Sequence, residues 1–221
     1  MLKDSLVFYQ NMKKANLTVQ PNKPYLIGVT GNFGTGKSTI GKILESKEVY
    51  VIDTDDIVMD ILRSKNKTTD KIIKAFGESF VNKYSLETFY INKKLLGELV
   101  FKNPRKRKKL EVIIHPEVFK RLKKNRNSKK KYKVIAELVP LLFECNLGSN
   151  YDETWCVKCN RKTQFKRLLK KGILHKDAVL RIKTQMPQDK KSKLADYVID
   201  NSGSISSTKK QVYARLKQMA L

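Results

Sequence analysis

Glycines at positions 31, 34 and 36 run directly into Lys37, Ser38 and Thr39, giving the pattern G-x-x-x-x-G-K-[ST]. Each residue type in it suits one part of holding phosphate. Glycine lets the backbone turn with its N–H groups inward, where they cradle phosphate oxygens. The lysine reaches the terminal phosphates, and the serine hydroxyl is a ligand for Mg²⁺. A helix opening at this point adds its positive amino end. The stretch predicts binding of a nucleoside triphosphate with Mg²⁺, through Gly31, Gly34, Thr35, Gly36, Lys37, Ser38 and Thr39.

Two further groups of residues fit chemistry on that phosphate. Residues 49–52 read as a buried strand that delivers Asp53, Thr54 and Asp55 at its carboxyl end, the edge where open α/β sheets bind ligands. Strand alternation turns Asp53 and Asp55 to one side. A carboxylate there accepts a proton from an attacking hydroxyl or holds magnesium through water. Asp55 or Asp56 also suits the cap of a helix over 57–63. The strand at 132–136 leads to Glu137 and on to Glu144, and an acidic residue at its end suits a place near Mg²⁺. Two basic helices, over 160–171 and 176–184, carry Arg167, Lys171 and Arg181 as candidates for a lid that closes over the transferring group. His115 by itself reads as a packed or capping histidine.

The elements that must position these groups alternate strand and helix. Strands are expected at 26–30, 49–52, 132–136, 154–157 and 195–199, with helices at 38–46, 57–63 and 206–219. That rhythm predicts an α/β fold on a parallel sheet. Residues 64–130 break it with helical patterns at 69–76, 93–101 and 104–124, the last interrupted by Pro116, where a kink or break is expected. The insertion reads as an acceptor-binding domain. Residues 125–133, rich in lysine and arginine, read as a solvated loop. The domain reading is an amino-terminal extension at 1–24 and a nucleotide-binding core at 25–64, 131–160 and 191–221. The acceptor domain then covers 65–130 and the lid 161–190.

The chain has 221 residues, 40% of them hydrophobic, with 47 Lys+Arg against 21 Asp+Glu and a net charge of +26. That length supports a real core, and no apolar run approaches a membrane span. The amino terminus lacks a secretory signal, and three cysteines suit a reducing compartment; a cytoplasmic protein is expected. The charge favours polyanions, but the lysines are spread without interleaved aromatics, which speaks against nucleic-acid binding as the main function. Cys156 and Cys159 stand as C-x-x-C on a strand, facing nearly opposite ways, with no second pair to make a zinc site.

In this order the pieces resemble the dephospho-coenzyme A kinases over about residues 25–216. The resemblance is carried by Gly28–Thr39, by Asp53-Thr-Asp55, and by Leu110-Glu-Val-Ile-Ile-His115-Pro116. It continues through Pro140-Leu-Leu-Phe-Glu144, Arg181-Ile-Lys-Thr-Gln185-Met-Pro187 and Ala195-Asp-Tyr-Val-Ile-Asp-Asn201. It implies a P-loop kinase fold with a five-stranded parallel sheet, a helical acceptor-binding insertion and a helical lid. It also implies the reaction, phosphorylation of the ribose 3′-hydroxyl of dephospho-coenzyme A by ATP. By the same resemblance Asp55 is the base, Arg167 and Arg181 are lid cations, Asn201 lies beside the adenine, and His115, Pro140 and Leu141 meet the acceptor. Met59 stands where the family often has a basic residue, leaving acceptor phosphate to others such as Arg63 or Lys65. Lys171 replaces an arginine, and Leu138 an aspartate. The alternatives are another small-molecule kinase and, from a different class, a nucleic-acid-dependent ATPase. Oligomeric state is left open.

Overall fold

The computed structural model describes residues 23–82 and 90–219; the amino-terminal extension expected at 1–24 lies, up to residue 22, outside the described residues. From the amino end the elements are β1 (Tyr25–Thr30), α1 (Lys37–Glu45), β2 (Tyr50–Asp53), α2 (Thr54–Arg63), α3 (Lys67–Phe76), α4 (Lys93–Lys102) and α5 (Pro104–Ser128). There follow β3 (Val134–Leu138), β4 (Glu153–Lys158), α6 (Arg161–Lys170), α7 (His175–Lys183), α8 (Gln188–Leu194), β5 (Tyr197–Asp200) and α9 (Ile205–Gln218). The chain divides into two compact units, one of residues up to Asp53 with those from Arg126 on, the other Thr54–Asn125.

The first unit is built on a five-stranded sheet in the order β2-β3-β1-β4-β5, with every pairing parallel. β1 and its neighbours β3 and β4 are almost wholly buried, the pattern of strands covered on both faces. Register aligns their chemistry: Leu138 pairs with Val29 on one side and with Asp53 on the other. The carboxyl ends of β1, β2 and β3 therefore form one edge, and the glycine-rich turn leaves from it. Ile27, Val29, Ile40, Leu44, Ala136, Trp155, Val157, Ile199 and Val212 form the core beneath.

The second unit is helical. Asn66 opens α3 with a reciprocal cap, accepting from the Thr68 and Thr69 amides at 2.9 and 3.0 Å while the Thr69 hydroxyl accepts from the Asn66 amide at 2.8 Å. A short antiparallel bridge joins Val81 to Ile91, and Asn92 caps α4 through the Leu95 amide. Ile57, Ile61, Ile72, Leu96, Ile114, Val118 and Leu122 are among its buried apolar residues.

Three expectations change. α5 runs through Pro116 without a break. The carbonyl deprived of its donor is that of Val112, which is 56% exposed and so open to water. The same helix extends to Ser128, into the segment expected to be loop. Finally, α2 starts at Thr54, directly after β2. Asp55 and Asp56 are thus first-turn residues and not caps, and strand alternation does not reach Asp55.

Candidate active site

The turn after β1 is shaped by glycines that nothing else replaces. Gly36 has φ 101° and precedes α1 without a capping side chain, and a Cβ there would lie 2.1 Å from Asn201 Nδ2. Gly34 has φ 85°, and a Cβ there would lie 2.8 Å from the Leu168 side chain. Thr35 is fully buried, its hydroxyl donating to the Asn32 carbonyl at 2.9 Å. Lys37 Nζ donates to the Gly31 carbonyl at 2.9 Å, so the amine lies along the inner rim of the loop. Ser38 is exposed at the start of α1.

Groups from far along the chain clamp this turn. Asn201 is 2% exposed and donates to the Thr35 carbonyl at 2.8 Å, while Thr208 donates back to its Oδ1 at 2.9 Å. Arg167 Nη1 reaches the same Thr35 carbonyl at 3.3 Å. Gln164 Nε2 donates to the Phe33 carbonyl at 2.6 Å, and the Phe33 amide donates to Gln185 Oε1 at 2.7 Å. Arg181 lies over the Phe33 ring, 5.1 Å from its centroid. Arg167, Arg181 and Asn201 are therefore brought to the loop expected to hold phosphate. Gln164 and Gln185 were missed as site residues; Gln164 sits in a basic helix with no local pattern to mark it, and Gln185 stood only as one member of the run 181–187.

The turn after β3 holds Pro140 and Leu141, both half-buried. The Pro140 carbonyl accepts from the Thr30 hydroxyl at 3.2 Å, which ties it to the end of β1. Asp55 and His115 belong to the helical unit. Asp55 is exposed on α2. His115 packs edge-on against Phe119 at 5.7 Å between centroids, and burial lowers its pKa from the ordinary imidazole value. Arg63 pairs with Asp60 at 3.2 Å on the exposed side of α2.

The magnesium reading of Glu137 is overturned. Its side chain is wholly buried, with Arg126 Nε and Nη2 at 2.5 and 2.6 Å and the Tyr151 hydroxyl at 2.8 Å. Burial alone would depress the guanidinium pKa of Arg126, but the bidentate carboxylate raises it above its ordinary value. Burial, then the nearby carboxylate, pushes the Tyr151 hydroxyl well up. Glu137 is thus a structural charge, and Arg126 a structural partner in what read as solvated loop. Glu144 is also engaged, with Lys191 Nζ at 2.9 Å. Burial raises the thiol pKa of both Cys156 and Cys159, which disfavours the thiolate that metal or redox chemistry requires.

No group of three or more His, Cys, Asp or Glu among the described residues could hold a metal ion. A hard cation bound chiefly by phosphate oxygens and water needs no such group. Among the described residues no helix is long and apolar enough to cross a membrane. An open cleft of about 940 Å³, lined by Tyr50, Tyr132, Tyr213 and several lysines, lies by the amino ends of β2 and β3, opposite the loop edge.

The comparisons agree with this geometry. A dephospho-CoA kinase from Carboxydothermus hydrogenoformans is 39% identical over 196 residues, covering 87% of this chain and 93% of that protein. One from Aquifex aeolicus is 36% identical over 186 residues, covering 84% and 93%. Among solved structures, a Thermus thermophilus protein superposes with a TM-score of 0.74 at 29% identity, covering 89% of this chain and 98% of that one. The dephospho-CoA kinase of Campylobacter jejuni gives a TM-score of 0.60 at 26% identity, covering 88% and 96%. The model of the family described as dephospho-CoA kinase matches residues 25–207. A P-loop clamped at the carboxyl edge of a parallel sheet, and a match of this length, place the chain in the dephospho-CoA kinase family.

Proposed function

We propose that the chain transfers the γ-phosphoryl group of ATP to the ribose 3′-hydroxyl of dephospho-CoA, giving CoA and ADP, with the following division of labour. The backbone of residues 31–36 and Lys37 hold the β- and γ-phosphates, and Ser38 and Thr39 close the amino end of α1 around them. Magnesium, held by Ser38 and the phosphates, supplies charge neutralisation. Arg167 and Arg181, from α6 and α7, stabilise charge on the transferring group as part of a lid at 161–190. Asn201 keeps the loop in shape and lies on the adenine side.

Asp55 takes the proton of the 3′-hydroxyl as general base. The acceptor is received by the helical domain at 65–130, where His115 lies, and by the turn at Pro140 and Leu141. With Met59 in place of a basic residue, Arg63 or Lys65 meets its phosphate. A cytoplasmic location fits this reaction.

One observation carries this reading: the phosphate-binding turn is gripped from α6 and its neighbours by Gln164, Arg167 and Gln185, so the cationic helices are already seated on the loop. Phosphoryl transfer needs such fixed positioning and charge, with no covalent intermediate.

The test is ADP release from Mg-ATP with dephospho-CoA, beside adenosine, nucleoside monophosphates, DNA and RNA. Turnover on dephospho-CoA that yields CoA is expected. Turnover only on a nucleotide moves the substrate, and stimulation only by nucleic acid overturns the reading. Asp55→Asn should lower kcat by about 10²–10⁴-fold with ATP affinity held. Loss of ATP affinity with kcat unchanged would instead make Asp55 a ligand-ordering group.

A further inference from the structure

Lys191 is a lysine with no exposed surface, in the short helix α8. Its Nζ lies 2.9 Å from Glu144 Oε1 and donates to the Pro140 carbonyl at 2.5 Å. Glu144 Oε1 also accepts from the Met186 amide at 2.8 Å. The Met186 carbonyl in turn accepts from Asn32 Nδ2 at 3.0 Å, and the neighbouring Gln185 accepts from the Phe33 amide. A continuous polar chain thus leads from the turn after β3, through one buried ammonium, to two residues of the phosphate-binding loop.

Stability alone does not explain a charge here. Burying an ion pair costs desolvation that its attraction often fails to recover, and apolar residues of similar size commonly serve as well. An apolar side chain, however, cannot hold the Pro140 carbonyl and the Glu144 carboxylate at fixed points. Glu144 Oε2 and Asn32 Oδ1 are buried without a partner among the described residues. The chain therefore contains few alternative bonds to fall back on if its central donor is lost.

We propose that Lys191 is a positioning residue that couples the turn at residues 140–144 to the phosphate-binding loop, so that acceptor and ATP are held in one register. It touches neither substrate and acts through Pro140, Glu144 and Met186. This rests on the reading that Pro140 and Leu141 meet the acceptor. If the coupling fails, each side still binds its ligand, but the reacting atoms are no longer aligned. Misalignment is expensive in rate.

The test combines amide hydrogen exchange with kinetics on the wild type, Lys191→Met, Glu144→Gln and the double variant. In Lys191→Met, protection of the Met186 and Phe33 amides should fall by about tenfold or more, while Ile40 and Leu44 in α1 stay unchanged. With dephospho-CoA, kcat should fall by about 100-fold while ATP affinity stays within about threefold. Because the two residues act as one unit, the double variant should be no slower than Lys191→Met alone.

Loosening confined to residues 140–145, kcat per folded molecule within about twofold of wild type, or losses that multiply in the double variant would each overturn the proposal. If Lys191→Met does not fold, the nearly isosteric Glu144→Gln decides by the same exchange and kcat criteria. A wild type inactive on dephospho-CoA sinks the functional assignment, and the exchange comparison still decides the coupling.

Discussion

In the sheet unit, several buried polar groups find partners well separated in sequence: Glu137 with Arg126 and Tyr151, Glu153 with Arg215, Lys191 with Glu144, and Asn201 with Thr35. In the helical unit the buried polar groups among the described residues are three threonines, 54, 68 and 69. Thr69 is satisfied within three residues by the Asn66 cap, and the rest of the buried set is apolar stripe. One unit specifies positions with polar bonds; the other fills a volume and terminates its helices. Holding phosphate in place to within a few tenths of an ångström suits the first kind of construction.

The largest test of that contrast is Lys37→Ala. It should reduce turnover by more than about 10³-fold while the thermal transition stays in place, since Lys37 contributes to the loop rim and not to the core. A large loss of stability would mean that the loop also holds the sheet unit together. Next comes Arg126→Met, which leaves the buried Glu137 carboxylate without its cation. Urea unfolding should show a loss of about 3–5 kcal/mol.

In the helical unit, Asn66→Ala removes a cap and should cost only about 1 kcal/mol by the same measurement. If the two losses came out equal, the distinction between the units would be gone. The smallest effect belongs to His115. Its pKa is lowered in the fold by burial, so below about pH 6.5 the unfolded chain binds a proton that the folded chain resists. Stability is complete above that pH and declines as pH falls through the folded value. His115→Phe should remove that part of the acid decline, seen as a flatter stability profile below about pH 6.5.

Much of this was legible in the sequence because it is local. The apolar run at β1, the glycine turn and the strand ending at Asp53 each announce themselves within ten residues. The basic helices that bring Arg167 and Arg181 to the loop were also visible as candidates. Arg126 was not, because a lysine- and arginine-rich stretch looks solvated until a buried glutamate eleven positions on claims one member of it. Lys191 was hidden in the same way inside Asp-Lys-Lys-Ser-Lys, and α8 was not anticipated at all. Glu137 misled in the opposite direction. Its place at the end of a strand matched a magnesium role, and only its long-range partners show that its charge is already used.

The bond from Asn201 to the Thr35 carbonyl closes a span of 166 residues. During synthesis the nucleotide-binding loop is among the first described segments to leave the ribosome, and the residue that fixes its shape is among the last. At about 5–20 residues per second, the loop waits roughly 10–30 s for its support. The nascent chain thus acquires a finished ATP site only when β5 and the start of α9 have docked. Until then the loop lacks the hydrogen bond that fixes its shape.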